Sequence, residues 1–256
     1  PLYPKFPLVN IGGTYVAIRI EDLLILIVSF IWLLGYAHKI KEYLNQTVFQ
    51  AILLFWFIGG LSVFSGIFID QTTVAHLGLL HWIRRIEYMM LFVMAATSLH
   101  SSKHLRAMIY SILATTVLVV IYGFGQIYLD FPVISTTNRE FSKGLILYLT
   151  EGARANSTFA GHYDLAMYLS IVLMLFGSLF FYYEKILKVI PVIIGAGSFV
   201  LLGLTAARVS FVATGFGLLL IFWLNKQRLL MVVLIVGVIG LVGIIPELRH
   251  RLVATI

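Results

Sequence analysis

The chain has 256 residues, of which 61% are hydrophobic and 11% charged, with a mean hydropathy of +1.00. Soluble domains carry about 25% charged residues and cannot hide this much apolar surface, so the composition is that of an integral membrane protein. The absence of cysteine excludes disulfides, thiolate metal sites and cysteine nucleophiles, and the net charge of +7 comes with no basic stripe, which argues against a nucleic-acid partner.

Eight apolar segments reach or approach the roughly 20 residues a helix needs to cross a bilayer. They fall at Ile20–Tyr36, Val48–Ile69, Arg84–Leu99, Met108–Leu129, His162–Tyr182, Val189–Ala206, Val209–Leu224 and Leu229–Ile245. The first and third are short, and Val74–Ile83 either extends the third or lies at the interface. Gly59-Gly60 and Gly195-Ala-Gly197 read as breaks without charged companions. The expected fold is all-α, a polytopic transmembrane bundle of about eight helices forming a single domain over residues 1–256. With no methionine at Pro1 and an end five residues after Arg251, the chain is expected to be a piece of a longer protein.

The connections alternate in character. One set holds Lys39, Lys41, Lys103, Arg106, Lys185, Lys188, Lys226 and Arg228, and the positive-inside rule makes it cytoplasmic. The other set holds ten basic residues, eight of them arginine, and all the acidic residues except Glu42 and Glu184. Lysine serves as a hydrated anchor at headgroups, whereas arginine suits bidentate recognition of phosphate and carboxylate. The polar chemistry is therefore expected on the extracytoplasmic face of the inner (cytoplasmic) membrane.

On that face, Arg84 and Glu87 follow His81-Trp-Ile at a spacing of three, so they share a helix face and are expected to form a structural ion pair. Arg85 points elsewhere, toward a ligand or headgroup. Arg19, ahead of Glu21-Asp22, either pairs locally or joins the same outer surface.

The long loop then leads into Glu151-Gly-Ala-Arg154-Ala-Asn-Ser-Thr-Phe-Ala-Gly-His162-Tyr-Asp164. Ser157 or Thr158 is expected to cap the helix that follows, with Asp164 in its first turn. Arg154 near a helix start resembles an anion cradle; the plainer alternative is a loop arginine reaching to headgroups.

Arg208 stands alone in Leu201-Leu-Gly-Leu-Thr-Ala-Ala-Arg-Val-Ser-Phe211, at the junction of two helices. A guanidinium costs about 2.5–3.5 kcal/mol at a membrane-helix centre by insertion scales, so an anionic partner is expected, with a headgroup anchor as the alternative. Thr205 and Ser210 offer nearby hydroxyls. Glu21-Asp22 and His100…His104 are isolated, so no metal site is expected, and no nucleotide-phosphate loop or GxSxG motif occurs.

Two stretches, Arg154-Ala-Asn-Ser-Thr-Phe-Ala-Gly-His-Tyr-Asp-Leu-Ala-Met-Tyr-Leu169 and Leu204-Thr-Ala-Ala-Arg-Val-Ser-Phe-Val-Ala213, resemble the O-antigen ligase-related membrane family. That family includes O-antigen ligases, O-antigen polymerases and bacterial O-oligosaccharyltransferases. The two arginines lie 54 residues apart, close to the family's spacing, and Pro4-Lys-Phe-Pro, Arg19-Ile-Glu-Asp22 and Arg84-Arg-Ile-Glu-Tyr88 fit as well. Ala207 and Val209 stand where the family usually has Ser and Gly. His162 with Asp164 replaces an Asn-Pro-Asn element. These departures bear on the acceptor more than on the reaction.

The resemblance implies further helices and a large extracytoplasmic loop, with Pro246-Glu-Leu-Arg-His-Arg251 as its opening and His250 too early in it to be the family's loop histidine. This stretch alone would then be inactive.

The resemblance also implies metal-independent, inverting transfer of a glycan from a polyprenyl-pyrophosphate-linked donor to a glycan, lipid or protein hydroxyl, with no cofactor. Arg208 and Arg154 would stabilise the leaving pyrophosphate. Arg85 and His162 would bind substrate, His162 being also a local candidate for the base. A transporter or flippase for an anionic lipid or solute is the alternative, and a non-catalytic component of an export or wall-assembly complex is a third.

Overall fold

The structure, a computed structural model, describes residue 2 and residues 7–10, 17–99, 101–133, 147–150, 152–182 and 188–253. Pro4, Lys5, Phe6, His100, Glu151, Glu184 and Lys185 lie outside the described residues.

All eight apolar segments are helices, six of them within a few residues of the bounds their hydrophobic runs suggest, while the helices expected from Arg84 and Met108 start earlier, at Ala75 and Ser102. Helix α1 covers Ile20–Tyr36, the short α2 Ile40–Leu44, α3 Thr47–Phe68, α4 Ala75–Ser98 and α5 Ser102–Tyr128. Helix α6 covers His162–Tyr182, α7 Val189–Leu204, α8 Arg208–Leu224, α9 Arg228–Ile244 and the short α10 Pro246–Val253. Residues 74–83 extend the third segment: α4 runs unbroken from Ala75, so the Arg84-Arg85 pair sits inside a helix and not at its start.

Helices α3, α5 and α6 are long and apolar enough to cross a membrane. The other apolar helices are shorter or carry more charge. Ahead of α1, two short strands, β1 (Pro7–Asn10) and β2 (Ala17–Arg19), pair antiparallel with Val9 opposite Ile18. The apolar runs gave no sign of this pair, because four- and three-residue strands are below the length at which alternation can be read.

The described residues divide into two compact units, with the boundary at Leu105/Arg106 inside α5. In the first unit, α3 packs on α4. Gly59-Gly60 does not break α3. It makes room for Trp82, whose ring a Cβ on Gly60 would approach to 3.0 Å, and the indole N–H donates to the Trp56 carbonyl at 2.9 Å. Helix α1 meets α4 through Trp32, whose N–H donates to Thr97 Oγ1 at 2.7 Å.

The second unit holds the larger core: Val119 on α5, Leu165 and Leu169 on α6, Leu201 on α7, Phe211 on α8 and Leu248 on α10 are all fully or almost fully buried. Helix α6 packs along both α7 and α8. Two hydroxyls inside the unit are satisfied within their own helices, as Ser170 Oγ donates to the Ala166 carbonyl and Thr214 Oγ1 to Ser210, both within 2.7 Å. Large apolar side chains stay exposed along α1, α3, α8 and α9, and neither α1 nor α9 has any buried residue. In water such faces would drive association; toward lipid they are the stable arrangement.

Close helix packing makes one prediction. A Cβ on Gly123 would lie 2.7 and 2.8 Å from the two δ-methyls of the fully buried Leu201, whereas one on Gly215 would meet nothing within 4 Å. Gly123→Ala is expected to destabilise by about 1–3 kcal/mol through overpacking. Gly215→Ala is expected to stabilise by up to about 1 kcal/mol as a better helix former. Thermal unfolding of the two variants in detergent micelles checks this; equal shifts would refute the packing of α5 on α7.

Candidate functional site

The α7–α8 connection is only three residues long. Thr205 closes α7 and is fully buried; its Oγ1 donates to Leu202 O at 2.7 Å and accepts from Ala207 N at 3.3 Å. That hydroxyl is committed to the turn and is not offered to a ligand. Ala206 takes a left-handed conformation at φ 50°, and Ala207 is extended as the N-cap residue. Arg208 follows as the first residue of α8, half-buried, at the positive end of the helix dipole.

The segment from Gly152 to Gly161 comes down beside this turn. Ala155 N donates to Leu204 O at 3.2 Å, which brings the Arg154 backbone next to the end of α7. Ala155, Asn156 and Ser157 are buried one after another, rare for residues in a loop.

Here the expected capping is corrected. The helix starts at His162, too far along for Ser157 or Thr158 to cap it. Ser157 instead turns inward: its Oγ donates to Val119 O at 2.7 Å and its N–H to Gln126 Oε1 at 2.7 Å. Asp164 does stand in the first turn of α6.

Arg154 and His162 meet. Arg154 Nη1 lies 2.9 Å from His162 Nε2. A guanidinium has five donors and no acceptor, so Nε2 must accept, and the imidazole is the neutral tautomer with its proton on Nδ1. His162 therefore orients Arg154. The same bond occupies the nitrogen that a base at this position would use. The His162 ring also lies against Tyr163, tilted by 39° with ring centroids 4.1 Å apart.

Helices α6 and α8 thus begin at the same end of one unit, with His162 and Arg208 as their first residues and Arg154 just ahead of α6. Ser170 Oγ, two turns into α6, also lies 3.4 Å from Ser210 O, so the start of α8 packs beside the third turn of α6. Two helix N-termini and two arginines lie at this end, with the carboxylate of Asp164 in the first turn of α6; helix N-termini and guanidinium groups are the donors that suit a phosphate or pyrophosphate.

Among the described residues, cavities border these elements. A cleft of about 370 Å³ adjoins the Gly152 turn, lined by Gln126, Asp130, Thr150, Leu204 and Glu247 among others; its charged lining is acidic, so an anion is disfavoured there. Gly152 has φ 73°, and a Cβ on it would approach Glu247 Oε1 to 3.3 Å. An apolar crevice of about 220 Å³ between α8 and α9 starts at Phe211 and Val212, one turn along from Arg208, and reaches Val242. A second, of about 320 Å³, shares Leu234 with it and extends to Phe180 and Leu230.

Searches of family models, curated proteins and solved structures return no match to this chain. What the site does must be argued from its own geometry.

The remaining sequence candidates lie in the first unit. Arg84 does not take Glu87 as its ion-pair partner there. Its Nη2 bridges Asp22 Oδ2 on α1 at 2.8 Å, with side-chain exposures of 18% and 15%. Glu87 Oε1 is buried with no hydrogen-bond partner. An in-helix spacing of three permits a pair but does not require one, and the cross-helix carboxylate gives the better geometry. Arg85 is exposed on α4.

Sequence reasoning missed Gln126. A glutamine inside an apolar helix is a signal, since an unsatisfied carboxamide is costly in such surroundings. The sequence did not show what it bonds.

Proposed function

We propose that this protein is an extracytoplasmic membrane glycosyltransferase of the O-antigen ligase-related kind. About eight of its helices cross the inner membrane, and the Arg154–Arg208 rim faces outward. The donor is a glycan on polyprenyl pyrophosphate; the acceptor is a hydroxyl on a glycan, lipid or protein. The acceptor oxygen attacks the anomeric carbon, the bond from that carbon to the pyrophosphate oxygen breaks, configuration inverts, and polyprenyl pyrophosphate leaves. The acceptor proton passes to a base. His162 is not assigned that role, because its Nε2 is already held by Arg154.

One observation carries this reading: the Arg154 loop is bonded through Ala155 to Leu204, beside the turn that presents Arg208. Two residues that the sequence separates by 54 positions thereby belong to one rim. The leaving group's growing negative charge is what such fixed donors stabilise, typically by about 2.7–4 kcal/mol each. The apolar crevice that opens one turn from Arg208 suits the start of the donor's lipid tail.

The test is acceptor-dependent release of polyprenyl pyrophosphate by the full-length protein in proteoliposomes, without nucleotide. Intact donor that crosses the bilayer would overturn the transferase reading in favour of a flippase. Within the same assay His162→Leu, which removes the acceptor that orients Arg154, is expected to lower kcat/KM roughly tenfold, the worth of a hydrogen bond to a charged group at about 1.5 kcal/mol. His162→Gln, with a carbonyl oxygen of similar reach, should retain most of the rate. Equal losses in the two variants would remove His162 from the orienting role.

A further inference from the structure

We infer that Gln126 is a positioning residue that acts on the site through Arg154. Its carboxamide is clamped to the backbone of Ser157 in both directions: Oε1 accepts from Ser157 N at 2.7 Å, and Nε2 donates to Ser157 O at 3.1 Å. The second Nε2 proton has the Pro132 carbonyl within 3.3 Å. Both donors and the acceptor oxygen are therefore used, on a side chain only 2% exposed. The pair copies one rung of a strand ladder, with a side chain standing where a second backbone would run.

The clamp matters because of what lies on either side. Ser157 is held left-handed at φ 50°, a conformation that a serine keeps only when its surroundings impose it. Its Oγ is fixed to Val119 O, a full two turns back along α5 from Gln126. Upstream, Ala155 N is fixed to Leu204 O, so only Asn156 separates the two anchored points. Arg154 is the next residue out. Its α-carbon is set by α5 through Gln126 and by α7 through Leu204, before His162 sets the direction of its guanidinium. A charge-stabilising donor requires sub-ångström placement, and anchorage of its loop to two helices is a means to that precision.

The kinetic part of this inference rests on the transferase reading; the structural part does not. Gln126→Met, which keeps the length of the side chain and loses every hydrogen bond, is compared with the parent by peptide-resolved hydrogen exchange. Residues 152–161 are expected to exchange at least tenfold faster, with α7 and α8 unchanged. Unchanged exchange across 152–161 would overturn the inference whether or not the protein transfers glycan.

In the transfer assay Gln126→Met is expected to lower kcat about tenfold with little change in KM, and to have less than a twofold effect when Arg154 is already alanine. Full additivity of the two changes would overturn the positioning role and leave Gln126 a general stabiliser. Gln126→Asn, with the same chemistry on a shorter stem, is the second variant should Gln126→Met fail to fold; the same non-additivity with Arg154→Ala is expected of it. A parent without transfer activity would sink the function proposed above while the exchange result still decided the clamp.

Discussion

Arg208→Ala is expected to reduce acceptor-dependent release of polyprenyl pyrophosphate by a hundredfold or more, the scale on which loss of a single charge-stabilising donor is felt. The loss should fall on kcat, because the charge it meets grows only as the anomeric bond breaks. Arg208→Lys keeps the charge but not the planar fork, and should recover a small part of the rate. The side chain sits at the start of α8 on a turn whose backbone is internally bonded, so the alanine variant should fold. A variant that kept kcat and lost only donor affinity would make Arg208 a headgroup anchor and remove the main support for the transferase mechanism.

Arg84→Ala is expected to destabilise the protein by about 3 kcal/mol, the lower end for breaking a largely buried ion pair. The reason lies in what remains. Asp22 loses the guanidinium that bridges it at 2.8 Å, and Glu21 and Glu87 are close enough to act on one another's charge. Asp22→Asn should cost a similar amount, since it leaves the arginine short of its counter-charge. Glu87→Gln should cost less than either. The double change Asp22→Leu with Arg84→Met should recover much of the loss, because apolar replacements of a whole buried pair are often neutral or better. Unfolding in detergent, followed by helix signal, distinguishes these cases. A Glu87→Gln variant as damaged as Asp22→Asn would return the ion pair to the helix face that the sequence suggested.

The helices were legible because their apolar runs are long and their lysine-bearing connections short; Ile20–Tyr36 and His162–Tyr182 need no adjustment at either end. The glycine pair in α3 misled because glycine marks either a break or a close approach, and only Trp82 on another helix shows which. The arginines were legible as candidates, since a guanidinium in an apolar run demands a reason. Their company was not. The Arg154–His162 bond spans a loop whose path has no periodicity, and the start of α6 had to be located before Ser157 could be seen turning inward. Ala206 and Ser157 both adopt positive φ without being glycine, and neither residue type announces that conformation. Gln126 is a long-range partner 31 residues from Ser157, beyond any local pattern.

The three-residue turn between α7 and α8 also bears on biogenesis. At 16 and 17 residues, each helix falls short of the roughly 20 that cross a bilayer comfortably alone. In the proposed topology the two, joined this tightly, enter the membrane as one hairpin, with Arg208 carried at its leading tip. In the proposed orientation that guanidinium is drawn through the hydrocarbon by the apolar side chains behind it, each contributing about 0.3–0.6 kcal/mol. Loss of hydrophobicity in α7, far from the rim, could then silence the protein by stranding Arg208 on the entry side. A single cysteine placed in the turn would report which side it reached, with no other cysteine among these 256 residues to label.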